Sequence, residues 1–492
     1  MDRDAVSAVV AGCWRDEIVG ELERYIAIPA LSPGFDAGWE ETGHIEAAVQ
    51  QVSAWMESRP VAGMRVEVQR LPGRTPLIVA EVEPFGVAST PGDGDATVVL
   101  YGHLDKQPEM SGWRDGLGPW TPVRDGDRLY GRGGADDGYA AFASLAAIEA
   151  VQACGGSHGR CLLLIEASEE SGSPDLTAHL DALGDRLANV SLLVCLDSGC
   201  ATYDTLWLTT SLRGLVEATL RVDVIAEGWH SGMASGLVPS SFRLARILLD
   251  RIEDAASGRV PLDSANVEIP AHRVAEARSM AELLGGTGED FGLIGDLQLM
   301  EDDPAEGLLA RTWRPALSVV GADGLPPTAS AGNVLRPYTA LKLSLRLPPT
   351  ASADAAASEL VDRLSSDPPL RASVRVEDID CADGWDAPDL SPWLAEALND
   401  SALHRFGQPM QLFGEGGSIP FIAMLAEMFP QAQFVVTGVL GPESNAHGPN
   451  EFLHVAYAEK LTGCIADILN AEAVRRRAPR APAHRPSEPA SG

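Results

Sequence analysis

Apolar residues keep helical spacing near the start of the chain and then change period. Ile18, Leu22, Tyr25 and Ile26 share one face of a predicted helix, and a second helical pattern runs from about Glu40 to Met56, with a loop from Pro29 to Pro33 between them. Two strand-like runs follow, Met64 to Gln69 and Leu77 to Glu83, before a Gly/Pro/Asp-rich surface connection from Phe85 to Asp95. From Thr97 the rhythm is strand, loop, helix. Thr97 to Tyr101, Cys161 to Ile165 and Leu192 to Leu196 are apolar runs without polar alternation, the pattern of buried parallel strands. Ala-rich Gly138 to Cys154 predicts a helix after the first of them.

Near Leu206 the pattern changes. A long strand-like run, Leu206 to Val224, is broken near Arg213-Gly214; a Gly-Trp-His230-Ser-Gly turn and a helix from about Ser240 to Arg251 follow. A polar, Ala-rich region continues to about Arg314, and then Thr339 to Leu347 reads as strand, Ala351 to Leu364 as helix and Ala372 to Glu377 as strand. This is the pattern of a small α+β layer inserted into the first domain. The first domain resumes near Ser391, with a helix from Trp393 to His404, a helix from Ile422 to Met428, a strand from Phe434 to Val439 and a last helix from Val455 to Leu469. The predicted class is α/β, a mostly parallel central sheet flanked by helices plus the α+β insertion. The boundaries are 1–205 and 391–474 for the first domain, 206–390 for the insertion and 475–492 for a disordered Arg/Pro/Ala-rich tail.

Composition narrows the partners. A chain of 492 residues exceeds a single core, which agrees with two domains. Its formal charge of −33 argues against nucleic acid or an anionic membrane, since a polyanion is repelled. No stretch of about 18 residues is apolar enough to span a bilayer, and the start lacks a secretory pattern, so a cytoplasmic location is expected. The seven cysteines form no Cys-x-x-Cys pair and read as buried thiols of a reducing compartment.

The predicted strands end in acids and a histidine. His103 and Asp105 follow the first, Glu169 and Glu170 the second and Asp197 the third, which is where open parallel sheets place their sites. His103 and Asp105, two apart, project to one side; one can ligate a metal while the other orients it. Two divalent cations about 3.5 Å apart repel, and need a shared anionic ligand and balancing negative charge. Asp136, in a Gly-rich turn before the Ala-rich helix, can bridge such a pair; Glu170 and Asp197 can serve one metal each, and His103 and His447 complete the set. Imidazole and carboxylate without thiolate suit zinc, with manganese or cobalt as substitutes. Glu169, beside a ligand, is assigned to carry the proton between water and the leaving nitrogen.

Seven motifs stand in order over residues 20 to 470: His103-Leu-Asp105, Gly131-Arg-Gly-Gly-Ala-Asp136-Asp137, Glu169-Glu170-Ser-Gly-Ser, Leu196-Asp197-Ser-Gly, His230-Ser-Gly, Gly416-Gly417-Ser418-Ile-Pro420 and Ala446-His447-Gly-Pro-Asn-Glu451. Together they resemble the dinuclear metallopeptidase family of carnosinase, cytosolic dipeptidase, glutamate carboxypeptidase and aminoacylase. The resemblance implies that Asp136 bridges two metals, that His103 and Asp197 hold one and Glu170 and His447 the other, and that Asp105 orients His103. It also implies a cis peptide at Asp136-Asp137 and makes the first domain catalytic. The insertion becomes a lid and dimerisation domain whose His230 reaches across a homodimer to steady the oxyanion. Arg346 would take the substrate's terminal carboxylate, with Asn333, Gly417 and Ser418 adding polar contacts.

Three departures border the expected pocket: Lys106-Gln-Pro where the family often has Val-Gln-Pro, Asp136-Asp-Gly-Tyr in place of Asp-Asp-Lys-Gly, and Gly228-Trp229 before His230. None removes a ligand. The expected activity is hydrolysis of a dipeptide, or of a small peptide with a free carboxylate, by a two-metal-activated water. An N-acyl-amino-acid amidohydrolase and a pathway-dedicated amidase would share the same metal residues. A non-catalytic binding protein would have lost a ligand or the base, and this chain retains all of them.

Overall fold

In a computed structural model, which describes residues 1–86, 96–287 and 291–477, six strands form the central sheet. Their order is Met64–Gln69, Leu77–Val82, Arg160–Glu166, Thr97–His103, Val190–Cys195, Gln433–Val436. The last four run parallel and the first two pair antiparallel. Every residue of Thr97–His103 is buried, as its unbroken apolar run requires at the centre of a sheet covered on both faces. Tyr139–Ala153 is buried around most of its circumference and packs between this sheet and the final helix, Val455–Arg477.

The chain divides into two compact units: Met1–Leu206 with Asp389–Met410 and the chain from Gln431, and Trp207–Pro388 with Gln411–Pro430. The sequence reading gives 411–430 to the first domain, whereas the structure groups it with the second unit. The reason is strand pairing, since Gln411–Gly414 lies parallel to Trp207–Leu212 and the loop and helix beyond it follow. The second unit carries a four-stranded antiparallel sheet in the order Ala316–Asp323, Tyr338–Leu347, Gly214–Asp223, Ser373–Ala382. Gly214–Asp223 alternates buried and half-buried positions. Its inner face, including Val216 and Leu220, forms one core with Leu343, Leu345, Leu248 and Leu360.

Several elements differ from the periodicity. The polar region before Arg314 contains two helices, Ala271–Leu284 and Pro304–Thr312. The second starts on a usable signal: Asp303 accepts from the Ala305 and Glu306 amides, and Pro304 follows it. The amino-terminal helix begins at Arg3 and passes through a π-turn at Trp14–Ile18 to Ile26. The second helical pattern splits at Gly43 into Trp39–Thr42 and His44–Ser58. The final helix extends to Arg477, so Arg475 and Arg476, expected in a disordered tail, are helical and pair with Glu472. The rest of that tail and most of the Phe85 to Asp95 connection lie outside the described residues. Among the described residues no helix is long and apolar enough to cross a membrane. All seven cysteines are free, with Cys154 and Cys381 half-buried and the others buried.

Candidate metal centre

His103 ends the most buried strand of the first unit, and Gly102 lets that strand end approach the following helix. A Cβ on Gly102 would lie 2.6 Å from the Ala140 Cβ and 2.8 Å from Asp137 Oδ2. The His103 Nδ1 donates to the Asp105 carbonyl at 3.1 Å. This turns Nε2, which is buried and without a hydrogen-bond partner among the described residues, toward Asp136 Oδ1 at 3.4 Å and Asp197 Oδ1 at 3.7 Å. The other oxygen of Asp136 is 2.9 Å from His447 Nε2, which also lies 3.3 Å from Glu170 Oε2. Asp136 thus stands between two imidazoles with one oxygen toward each.

This donor set fits divalent cations. Donors held around one tetrahedral zinc at ordinary bond lengths are about 3.3 Å apart, and the spacings here bracket that value. Donor atoms of His103, Asp136 and Glu170 gather within 4.8 Å of one another, as do those of His103, Asp137 and Asp197. Protonation shows the same demand for positive charge. Burial opposes a charge on His103, but Asp197, Asp105 and Asp136 outweigh it and raise the ring's pKa well above normal. His447 is likewise raised to about 9, its burial outweighed by Asp136 and Glu170. Burial and the Asp136 charge push Glu170 up to about 8, and burial with the Asp197 charge raises Glu169.

Glu169 Oε2 lies 3.8 Å from His103 Nε2. Its backbone is fixed by Asp105, whose carboxylate accepts from the amides of Glu169 at 3.1 Å and Glu170 at 3.0 Å. That refines the expectation for Asp105. Its carbonyl orients His103, while its carboxylate, 3.6 Å from Nδ1, holds the acidic turn. The Asp136–Asp137 peptide is cis. Asp137, given no task by sequence reasoning, is fully buried and accepts from the His103 amide at 3.3 Å.

Two further groups were present in the motifs but unassigned. Arg132 and Glu451 are buried and paired. Arg132 also donates to the Gly448 carbonyl at 2.9 Å, and Glu451 accepts from the Gly133 amide at 2.9 Å, so the pair ties the Asp136 turn to the His447 loop. An arginine inside a Gly-rich turn, matched by a glutamate four residues past a histidine, was the available signal. Lys106 departs from its expected place at the pocket. It is fully buried, with Nζ donating to the carbonyls of Tyr25 at 2.7 Å and Ile28 at 2.8 Å, and it lies 3.9 Å from the Tyr25 ring centre. There it satisfies the open carbonyl end of the helix closing at Ile26.

The second unit holds the remaining candidates. Arg346, on Tyr338–Leu347, donates to Ser418 Oγ at 2.8 Å, and the Gly417 carbonyl accepts from the Arg213 amide at 2.9 Å. His230 is exposed, its Nδ1 accepting from the Gly232 amide at 3.1 Å. It sits opposite Val334 in a two-residue ladder, beside exposed Asn333, whose carbonyl accepts from the Ser231 amide at 2.8 Å.

A mostly parallel sheet whose strand ends gather these carboxylates and imidazoles offers the donor set of a metal-dependent hydrolase. The chain belongs to peptidase family M20/M25/M40, which matches residues 99–471. It is 30% identical over 400 residues to the cysteinylglycine-S-conjugate dipeptidase of Corynebacterium striatum, covering 76% of this chain and 82% of that one. It is 25% identical over 454 residues to the human Beta-Ala-His dipeptidase, covering 89% and 86%. Among solved structures, the di-peptidase Dug1p of Saccharomyces cerevisiae shares the fold with a TM-score of 0.77 at 20% identity, covering 96% of this chain and 99% of that one. Human carnosine dipeptidase 1 does so at 0.74 and 21%, covering 96% and 100%.

Proposed function

We propose that this enzyme is a two-metal dipeptidase that cleaves the amide bond of dipeptides, or of small peptides with a free terminal carboxylate. The observation that carries the reading is Asp136, set between the His103 and His447 imidazoles with one oxygen toward each. His103 and Asp197 would hold one cation, Glu170 and His447 the second, and Asp136 would be shared by both. Zinc, with manganese or cobalt as substitutes, supplies Lewis acidity when bound and brings water's pKa toward neutrality. Support for the substrate class comes from the relatives, which are named as dipeptidases.

Glu169 takes the proton from the attacking water and delivers it to the leaving nitrogen. Its amide is anchored by Asp105 and its side chain is mostly buried, so the carboxylate has a fixed base and a poorly hydrated surrounding. Arg346 receives the terminal carboxylate in its planar fork, preset by Ser418, with Gly417 and Asn333 adding polar contacts. His230 acts across a homodimer interface, donating to the oxyanion as the carbonyl becomes tetrahedral. The free cysteines support a cytoplasmic setting.

The test is a mass-spectrometric screen of zinc- or manganese-loaded protein against mixed free dipeptides and N-acyl amino acids, with Glu169→Gln as the blank. Cleavage of free dipeptides by the wild type alone is expected. Cleavage confined to acylated amino acids would overturn the dipeptidase reading.

A further inference from the structure

Lys106 takes no part in the chemistry proposed above, yet it is among the largest side chains buried completely in the first unit. A buried ammonium is costly unless it is well partnered. Its Nζ donates to the Tyr25 carbonyl at 2.7 Å and to the Ile28 carbonyl at 2.8 Å, and stands 3.9 Å from the centre of the Tyr25 ring. Both carbonyls also accept from backbone amides, Tyr25 from Ile28 at 3.0 Å and Ile28 from Ala30 at 2.9 Å. The helix end does not by itself call for a lysine, and the reason for one lies along the rest of its side chain.

The hydrocarbon stem of Lys106 runs against Gly133. A Cβ on Gly133 would lie 2.7 Å from both Cγ and Cε of the lysine, so the stem fills the place of a side chain there. Gly133 opens the turn that carries Asp136, and its carbonyl accepts from the Gly138 amide at 3.0 Å, which closes that turn. Gly138 lies against the Tyr25 ring, which a Cβ at that position would overlap. The Tyr25 hydroxyl in turn donates to the Leu104 carbonyl at 2.8 Å, one residue past His103. One lysine and one tyrosine therefore touch both ends of the Asp136 turn and the strand end that carries His103.

We propose that Lys106 and Tyr25 are positioning residues for the metal centre, fixing the Asp136 turn and the His103 strand end at the spacing that a pair of cations needs. This rests on the two-metal reading above. Neither residue supplies a metal ligand. The ammonium ties the lysine stem in place and the stem holds Gly133, while the tyrosine ring holds Gly138 and its hydroxyl holds Leu104. Lys106→Met keeps an unbranched stem and unties it, so the turn gains freedom with little volume lost beneath it.

The test loads cobalt(II) into the full chain and reads its affinity, by competition with a chelator, and its visible absorption bands, whose intensity and position report ligand geometry. The wild type should bind two ions per chain. Lys106→Met should weaken at least one of them by about 10- to 100-fold, as loss of a group that orients metal ligands does, and should alter the bands. Tyr25→Phe should act in the same direction. Ser401→Ala, which deletes a buried hydrogen bond to Asp467 at 2.7 Å, controls for lost stability and should keep the wild-type affinity and bands. Urea unfolding of the metal-free proteins compares their stabilities. If Lys106→Met fails to fold, Tyr25→Phe decides. Wild-type affinity and bands in a folded Lys106→Met or in Tyr25→Phe would overturn the positioning role and leave the two-metal reading standing. So would an equal loss in Ser401→Ala. A wild type that binds fewer than two ions would overturn that reading, and this proposal with it.

Discussion

At the scale of single residues, the proposed centre is a set of buried acids and imidazoles that a bound cation would neutralise. Without metal, His447 is raised to about 9 and Glu170 to about 8, so each holds a proton it must lose to become a donor. Metal affinity should therefore rise with pH between about 6 and 9, with protons released on binding. Calorimetry in buffers of different ionisation enthalpy reads both, and an affinity flat across that range would count against these ligands. Glu169→Gln should lower kcat by about 10²- to 10⁴-fold, as removal of a general base does, with metal content unchanged; lost metal would reassign Glu169 as a ligand. Arg132→Ala strands the buried Glu451 carboxylate and should cost about 3–5 kcal/mol in urea unfolding at neutral pH. Glu451 is already raised to about 7 by burial, so the cost should shrink below that pH, where it takes a proton. The five proposed ligands and Glu169 were legible because each follows an apolar strand or sits in a motif. Asp137, Arg132 and Glu451 were not assigned, because their partners are far away in sequence: the His103 amide for Asp137, and each other for Arg132 and Glu451.

At the scale of elements, buried strands were legible from unbroken apolar runs, and the Arg213-Gly214 break separates Trp207–Leu212 from Gly214–Asp223. The helix Ala271–Leu284 escaped because its charged and apolar residues show little one-sided patterning, and Pro304–Thr312 because only nine residues of helix follow its Asp303 cap. The placement of 411–430 escaped because a parallel pairing over some 200 residues leaves no local trace. Glu359, on Ala353–Ser365, accepts from the Ser264 hydroxyl and amide, and these bonds lower its pKa to about 2. A carboxylate depressed in the folded state stabilises it above the unfolded value near 4.5, and that gain disappears as pH falls toward 2. Glu359→Gln should thus destabilise the second unit by about 1 kcal/mol at pH 7 and by nothing at pH 2. Urea titrations at the two pH values check this, and an equal loss at both would refute the electrostatic origin.

At the scale of the whole molecule, the sheet brings residues from 103 to 447 into one cluster, while Arg346, Ser418, His230 and Asn333 belong to the other unit. A dipeptidase that borrows His230 from a second copy should lose kcat more than KM in His230→Ala, and a fully active variant dimer would remove that role. The central claim is one aspartate shared by two cations, and native mass spectrometry of zinc-loaded protein tests it most directly. The wild type should carry two metals per chain, Asp197→Ala and Glu170→Ala one each, and Asp136→Ala neither at the same free zinc. A wild type holding a single metal, or an Asp136→Ala protein that keeps one as firmly as the other two variants, would contradict it.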